Sequence, residues 1–161
     1  MSLAANKFNI YVQNLGQGVH NLNTDNLFIL LTNTAPNAGD TVVDTTTTTC
    51  TVKSVSNAGE IAAGNGYTKG GVQLSSNAYT EVAGLASLVA NQGVITATGA
   101  IGPFRYAVLY DNSVGTTATR PVMLWWDNGS SVSLASGQNL LLQNSAGAGN
   151  FTVTYPLLTD D

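Results

Sequence analysis

The chain has 161 residues, a formal net charge of −4 and only 9% charged side chains, which suits one domain with a real core. Its five basic residues, Lys7, Lys53, Lys69, Arg105 and Arg120, are scattered, so no basic stripe for nucleic acid exists. Soluble domains are usually about a quarter charged; here solubility must rest on neutral Thr, Asn, Ser and Gln, which are cheaper to desolvate against a partner than ions are.

Cys50 is the single cysteine, so neither an intrachain disulfide nor a cysteine metal site is expected. The apolar run Leu27 to Leu31 is too short to cross a bilayer, and the N-terminus lacks a leader pattern. The expectation is an unprocessed protein with no membrane partner.

From Lys7 to Leu22 the apolar residues Phe8, Tyr11, Val12, Leu15, Val19 and Leu22 recur at intervals of three and four, the period of an amphipathic helix. Gly16 and Gly18 weaken its second half. The pattern predicts a short helix near Asn6 to Leu15, with its apolar face on its own domain or on a neighbouring subunit. Leu27 to Thr32 lies between the turn-like Asn23-Thr24-Asp25-Asn26 and Asn33-Thr34-Ala35-Pro36 and reads as a buried strand. Asp40, Asp44 and the threonine tract Thr45 to Thr49 lead into Thr51 to Val55. Thr is β-branched and polar, which predicts an edge strand or exposed hairpin here.

Gly59 to Gly71 holds five glycines and reads as a loop, with Tyr67 pinning it to the core. Its order and spacing fail the phosphate-loop pattern GxxxxGK[ST]. Strand-like segments follow at Gly71 to Tyr79 and Val94 to Thr98, and the Ala- and Leu-rich Glu81 to Ala90 between them suggests one or two helical turns.

Phe104 to Tyr110 and Val122 to Trp126 are rich in aromatic and β-branched residues, with a polar loop, Asp111 to Pro121, between them. Val122, Leu124 and Trp126 fall on one face of the second strand, Met123 and Trp125 on the other. Both faces are apolar, so this strand lies between two layers or lends one face to another molecule. Ser131 to Leu134, Asn139 to Gln143 and Phe151 to Leu158 complete a set of about eight short strands with regular turns. The expected fold is mainly β, a β-sandwich or jelly-roll-like single domain over residues 1–161, with a short N-terminal helix and residues 1–22 as a packing or contact arm.

Chemistry is sparse in this pattern. His20 is the only histidine, which excludes a zinc triad of histidines and leaves any Ser-His-Asp set without a nucleophile motif. Its expected role is a turn or cap hydrogen bond. Asp111 and Asp127, at the ends of the two central strands, suggest a glycosidase carboxylate pair. Each is followed by Asn, however, and the sequences Asp111-Asn112-Ser113 and Asp127-Asn128-Gly129 favour turn roles. Calcium binding through them lacks a DxDxDG loop. Trp125 and Trp126 offer either a sugar-stacking platform or one core Trp with one sealing Trp. No catalytic, cofactor or metal residue is expected.

Several pieces resemble, in the same order, a family of small tailed-bacteriophage virion proteins: NLNTDNLFILLTNTAP (Asn21 to Pro36), EIAAGNGYTKGG (Glu60 to Gly71), IGPFRYAVLYD (Ile101 to Asp111) and PVMLWWDNGSSVSL (Pro121 to Leu134). Lys7 to Asn9 and Gly18 to Leu22 resemble it too, whereas Thr45 to Ala58 is longer than the family's link and the tail after Gln143 departs from it. The resemblance implies a non-enzymatic capsid decoration or cement protein without cofactor, made in the host cytoplasm and carried on the outer surface of the virion. Its partners would be the major capsid protein and itself, as a homotrimer. Expected contact residues are Phe8, Tyr11, Val12 and Leu15 on the arm, with Met123 and Trp125 on the outer face of the central strand. Other classes fit the residues as well: a head-fibre or adhesion module binding glycans, a tail structural protein, or a carbohydrate-active enzyme using Asp111 and Asp127.

Overall fold

The computed structural model of the chain describes residues 5–91, 93–142 and 150–155. In chain order the elements are β1 (Asn6–Lys7), α1 (Asn9–Gly16), β2 (Leu27–Thr32), β3 (Val42–Asp44), β4 (Thr51–Lys53), β5 (Ala58–Gly59), β6 (Val72–Gln73), β7 (Ser75–Val82), β8 (Leu85–Asn91), β9 (Gly93–Thr96), β10 (Ile101–Asp111), β11 (Arg120–Leu134), β12 (Asn139–Leu142) and β13 (Asn150–Tyr155). The chain is mainly β, with one short helix. Parts of two expected strands, Gln143 and 156–158, lie outside the described residues.

The largest sheet is antiparallel and runs β5, β4, β3, β11, β10, β2, β6, with β1 added along β11. β12 and β9 form a ribbon, and β13, β8 and β7 form a three-stranded sheet. At the centre Ala107 is opposite both Leu31 and Trp126, while Val108 is opposite both Leu30 and Trp125. Adjacent residues point to opposite faces, so these two rows line opposite sides of the sheet. The Leu30, Val108 and Trp125 row is covered by the arm, where the Phe8 ring stands 4.5 Å from that of Trp125. The Leu31 row meets the ribbon, and Leu31, Ile95, Phe104 and Leu134 are buried there with Leu140 and Leu142 packed beside them. Layers on both faces explain why β11 is apolar on both, and they give the arrangement its sandwich character.

This layering corrects three expected contact residues. Phe8, Tyr11 and Met123 are each 0% exposed, because the arm folds back onto its own sheet, where the Phe8 N–H donates to the Met123 carbonyl at 3.1 Å. Burying such side chains stabilises the monomer by roughly 1.5–3 kcal/mol apiece, so they hold the arm down and do not face a partner. Trp125 and Leu15 are half-buried against the same core. Of the six, Val12 alone is strongly exposed, at 58%. The helix also begins later than the periodicity suggests, since Asn6 and Lys7 extend to pair with Trp125 and Leu124.

Glu81 to Ala90 forms no helical turn. Ala83 and Gly84 take φ of 53° and 81°, the left-handed pair that joins β7 to β8 as a tight hairpin. The Leu-Ala-Ser-Leu-Val-Ala run then continues as strand, its partners running from Ala78↔Val89 to Val82↔Leu85. The threonine tract is the bend of a second hairpin, β3 to β4, whose partner β5 forms the edge.

Buried carboxylates hold the loops. Asp40 accepts hydrogen bonds from the Asn37, Ser54, Val55 and Ser56 N–H groups and from the Ser56 hydroxyl. Glu60 accepts from the Cys50 and Gly70 N–H groups and from the Tyr67 hydroxyl. The Tyr67 hydroxyl also accepts from the Leu31 N–H at 2.9 Å, which fastens the glycine loop to β2. Gly71 is required at that join: at φ +87° a Cβ would stand 1.9 Å from the Ile29 carbonyl oxygen.

Candidate functional site

Two regions stand out. The first is a groove of about 140 Å³ between the central sheet and β12, lined by Ile29, Leu31, Phe104, Ala107, Trp126 and Leu140 among others. Its residues come from four strands, β2, β10, β11 and β12. At its rim the Arg105 guanidinium donates twice to Asp127, Nε to Oδ1 at 2.7 Å and Nη2 to Oδ2 at 2.8 Å. That fork raises the Arg105 pKa and lowers that of Asp127. On the outer face of the ribbon Val94 is opposite Leu141, and the two are 46% and 49% exposed. Val55 and Tyr79 are further exposed apolar side chains.

The second region is a cluster at the foot of the arm. His20 follows α1, Asp25 lies in the turn after it, and Asp111 ends β10, where it is opposite Leu27 of β2. The His20 Nδ1 is 2.8 Å from Asp111 Oδ2, and both side chains are 0% exposed. The other Asp111 oxygen accepts from the Ser113 N–H at 2.8 Å, and Asp25 accepts from the Asn21 N–H at 2.6 Å. One ligand atom from each of the three residues lies within 4.8 Å of the other two. The Tyr11 ring packs beside the imidazole, 5.6 Å between centroids, and His20 Nε2 is buried without a hydrogen-bond partner.

Burial works to raise both carboxyls. In Asp111 the hydrogen bonds from His20 and from the Ser113 N–H outweigh it and hold the group below the ordinary aspartate value. In Asp25 burial prevails over the Asn21 N–H, helped by the neighbouring Asp111, and the group sits above that value. Two carboxyl groups this close do not ionise together freely, and Asp111 is the one that ionises first.

The suggested pairing of Asp111 with Asp127 does not form. Asp127 is opposite Tyr106, five residues along β10 from Asp111, or roughly 17 Å at about 3.4 Å per residue. Glycosidase pairs stand about 5–9.5 Å apart. Asp127 instead fills its turn role by accepting from the Gly129 N–H at 2.7 Å, as Asp111 does with Ser113. The tryptophans divide into a buried Trp126 and a half-buried Trp125 stacked on Phe8. The partnership of His20 with Asp111 spans 91 positions, and neither residue sits in a local motif that announces it.

Comparison of the chain with protein-family profiles, with curated proteins and with solved structures finds no match.

Proposed function

We propose that this is a non-enzymatic head decoration, or cement, protein of a tailed bacteriophage, which self-associates as a trimer and binds the outer surface of the major capsid protein lattice. The observation that carries the reading is how little charge the fold leaves outside. Asp40, Asp44, Glu60 and Asp111 are buried, Lys53 is spent on Asp44 and Arg105 on Asp127. A surface already short of ions is thereby left sparsely charged, with exposed Val12, Tyr79, Val94 and Leu141 on it. Neutral polar surface with apolar side chains is suited to being covered by protein, because ions resist desolvation most. The ordered resemblance of four segments to phage virion proteins supports the same reading.

A trimer fits the local threefold positions of an icosahedral shell, where each copy makes the same contact. Three weak contacts held in one rigid body exceed the affinity of one by about 100-fold or more, and such a staple bridges joints between capsomers against the pressure of packaged DNA. Val12 and Leu15 of the arm remain its contact candidates; Tyr79, Val94 and Leu141 join them.

Mixing the purified chain with undecorated heads of its phage and sedimenting them tests this. Saturable binding that raises the temperature at which heads rupture is the expected result. Heads that sediment without the chain, or specific capture of glycans by the isolated chain, would point to the adhesion reading.

A further inference from the structure

We propose that His20, Asp25 and Asp111 form a site for one divalent first-row cation, Zn²⁺ or Mn²⁺, that ties the foot of the arm to the end of β10. The donor set is one imidazole nitrogen and two carboxylate oxygens, which suits these ions better than Ca²⁺, whose ligands are oxygens. Ligand atoms about 2.0–2.2 Å from such an ion stand roughly 3.0–3.5 Å from each other. Three already within 4.8 Å of one another reach that spacing by small side-chain rotations.

Two further observations single the cluster out. The first is the state of His20: its side chain is 0% exposed and Nε2 has no partner. Its Nδ1, 2.8 Å from Asp111 Oδ2, is the nitrogen turned to the carboxylates and the one that would ligate the ion, so the imidazole is buried with that ligand atom already beside a second one. The second is that no Lys or Arg side chain among the described residues answers the two carboxyls. Lys53 is held by Asp44, Arg105 by Asp127, Lys69 by the Thr45 carbonyl, and Arg120 by the Val114 and Gly115 carbonyls, while Lys7 is exposed on β1. The two carboxyl groups face each other with an imidazole as their neighbour and take one backbone N–H apiece. Asp25 is only half-buried, which gives an ion and its remaining water ligands a way in.

The inference is independent of the proposed virion role. Its test uses the full chain after treatment with EDTA, titrated calorimetrically with ZnCl₂ and separately with MnCl₂. One ion per chain and a higher unfolding temperature in its presence are expected. His20→Gln and Asp25→Asn should each weaken binding by about 100-fold, whereas Asp127→Asn, in the carboxylate outside the cluster, should leave it unchanged. Bound Mn²⁺ should show nitrogen coupling in its electron-spin spectrum, which His20→Gln removes. Failure of the wild-type chain to take up a stoichiometric ion at millimolar concentration, or equal affinity in the His20 and Asp25 variants, would overturn the site.

Discussion

Asp40 and Glu60 on one side, and the His20, Asp25 and Asp111 cluster on the other, are two ways of burying acid in the same small domain. Asp40 receives five hydrogen bonds and Glu60 three, six of the eight from backbone N–H groups. Such a carboxylate is a knot that ties loops, and its charge is fully answered. In the cluster, by contrast, carboxyl faces carboxyl, and a ring nitrogen is left over. The difference sets acids that tie loops apart from those of the proposed cation site.

The sharpest way to break that contrast is Asp40→Ala. Losing the acceptor strands four N–H groups, and the expected cost is about 3–5 kcal/mol, read as a drop in the urea midpoint together with faster hydrogen exchange at Ser54 to Ser56. A loss under about 1 kcal/mol would show that solvent replaces the carboxylate easily.

Acid should act next. For Asp40, burial pulls the pKa upward, but the Ser56 hydroxyl and the surrounding N–H groups outweigh it, and the folded value lies below 3.8. Asp111 is also lowered. A group depressed on folding stabilises fully above its unfolded value and loses that contribution as pH falls through the folded one. Thermal midpoints measured with chelator should therefore drop below pH 3.8, less steeply in Asp40→Asn. Asp25 has the opposite sign: raised on folding, it favours the folded state at low pH and gives this up as pH rises above 3.8 through its folded value.

Accordingly, Asp25→Asn in metal-free protein should be neutral or stabilising, by no more than about 1 kcal/mol, while the same change abolishes stabilisation by Zn²⁺ or Mn²⁺. A large loss without metal would class Asp25 with Asp40. The smallest effect on the monomer belongs to Val12→Asp, on the exposed side of α1. Within about 0.5 kcal/mol the fold should be untouched, yet self-association or head binding should weaken, as native mass spectrometry can measure.

Much of this architecture is legible in the sequence where local pattern and burial agree. Leu27 to Thr32 forms the strand its continuous apolar run implies, and the aromatic pair around Asp111 to Pro121 becomes β10 and β11. Tyr67 pins the glycine loop as its isolated aromatic side chain suggests. Local composition misleads at Glu81 to Ala90, where Ala and Leu favour helix but Ala83-Gly84 accepts a left-handed turn and strand pairing on both sides decides the outcome. The apolar Met123 side chain reads as a free face until the arm is laid over it, and that depends on where residues 6–16 travel.

The candidate site is the least legible part. Asp111 has a tempting neighbour in Asp127, fewer positions away, but the register of β10 on β11 carries the two apart and gives Asp127 to Arg105. The distant partners of Asp111 are His20 at the end of the arm and Asp25 in the turn after it, through contacts that no spacing rule encodes.

The central claim, a sparsely charged β surface that we propose is covered by copies of itself, is tested most directly by the mass of the purified chain in solution. Light scattering at micromolar concentration should give three times the 16.6 kDa chain mass. A stable mass of one chain under those conditions would contradict it.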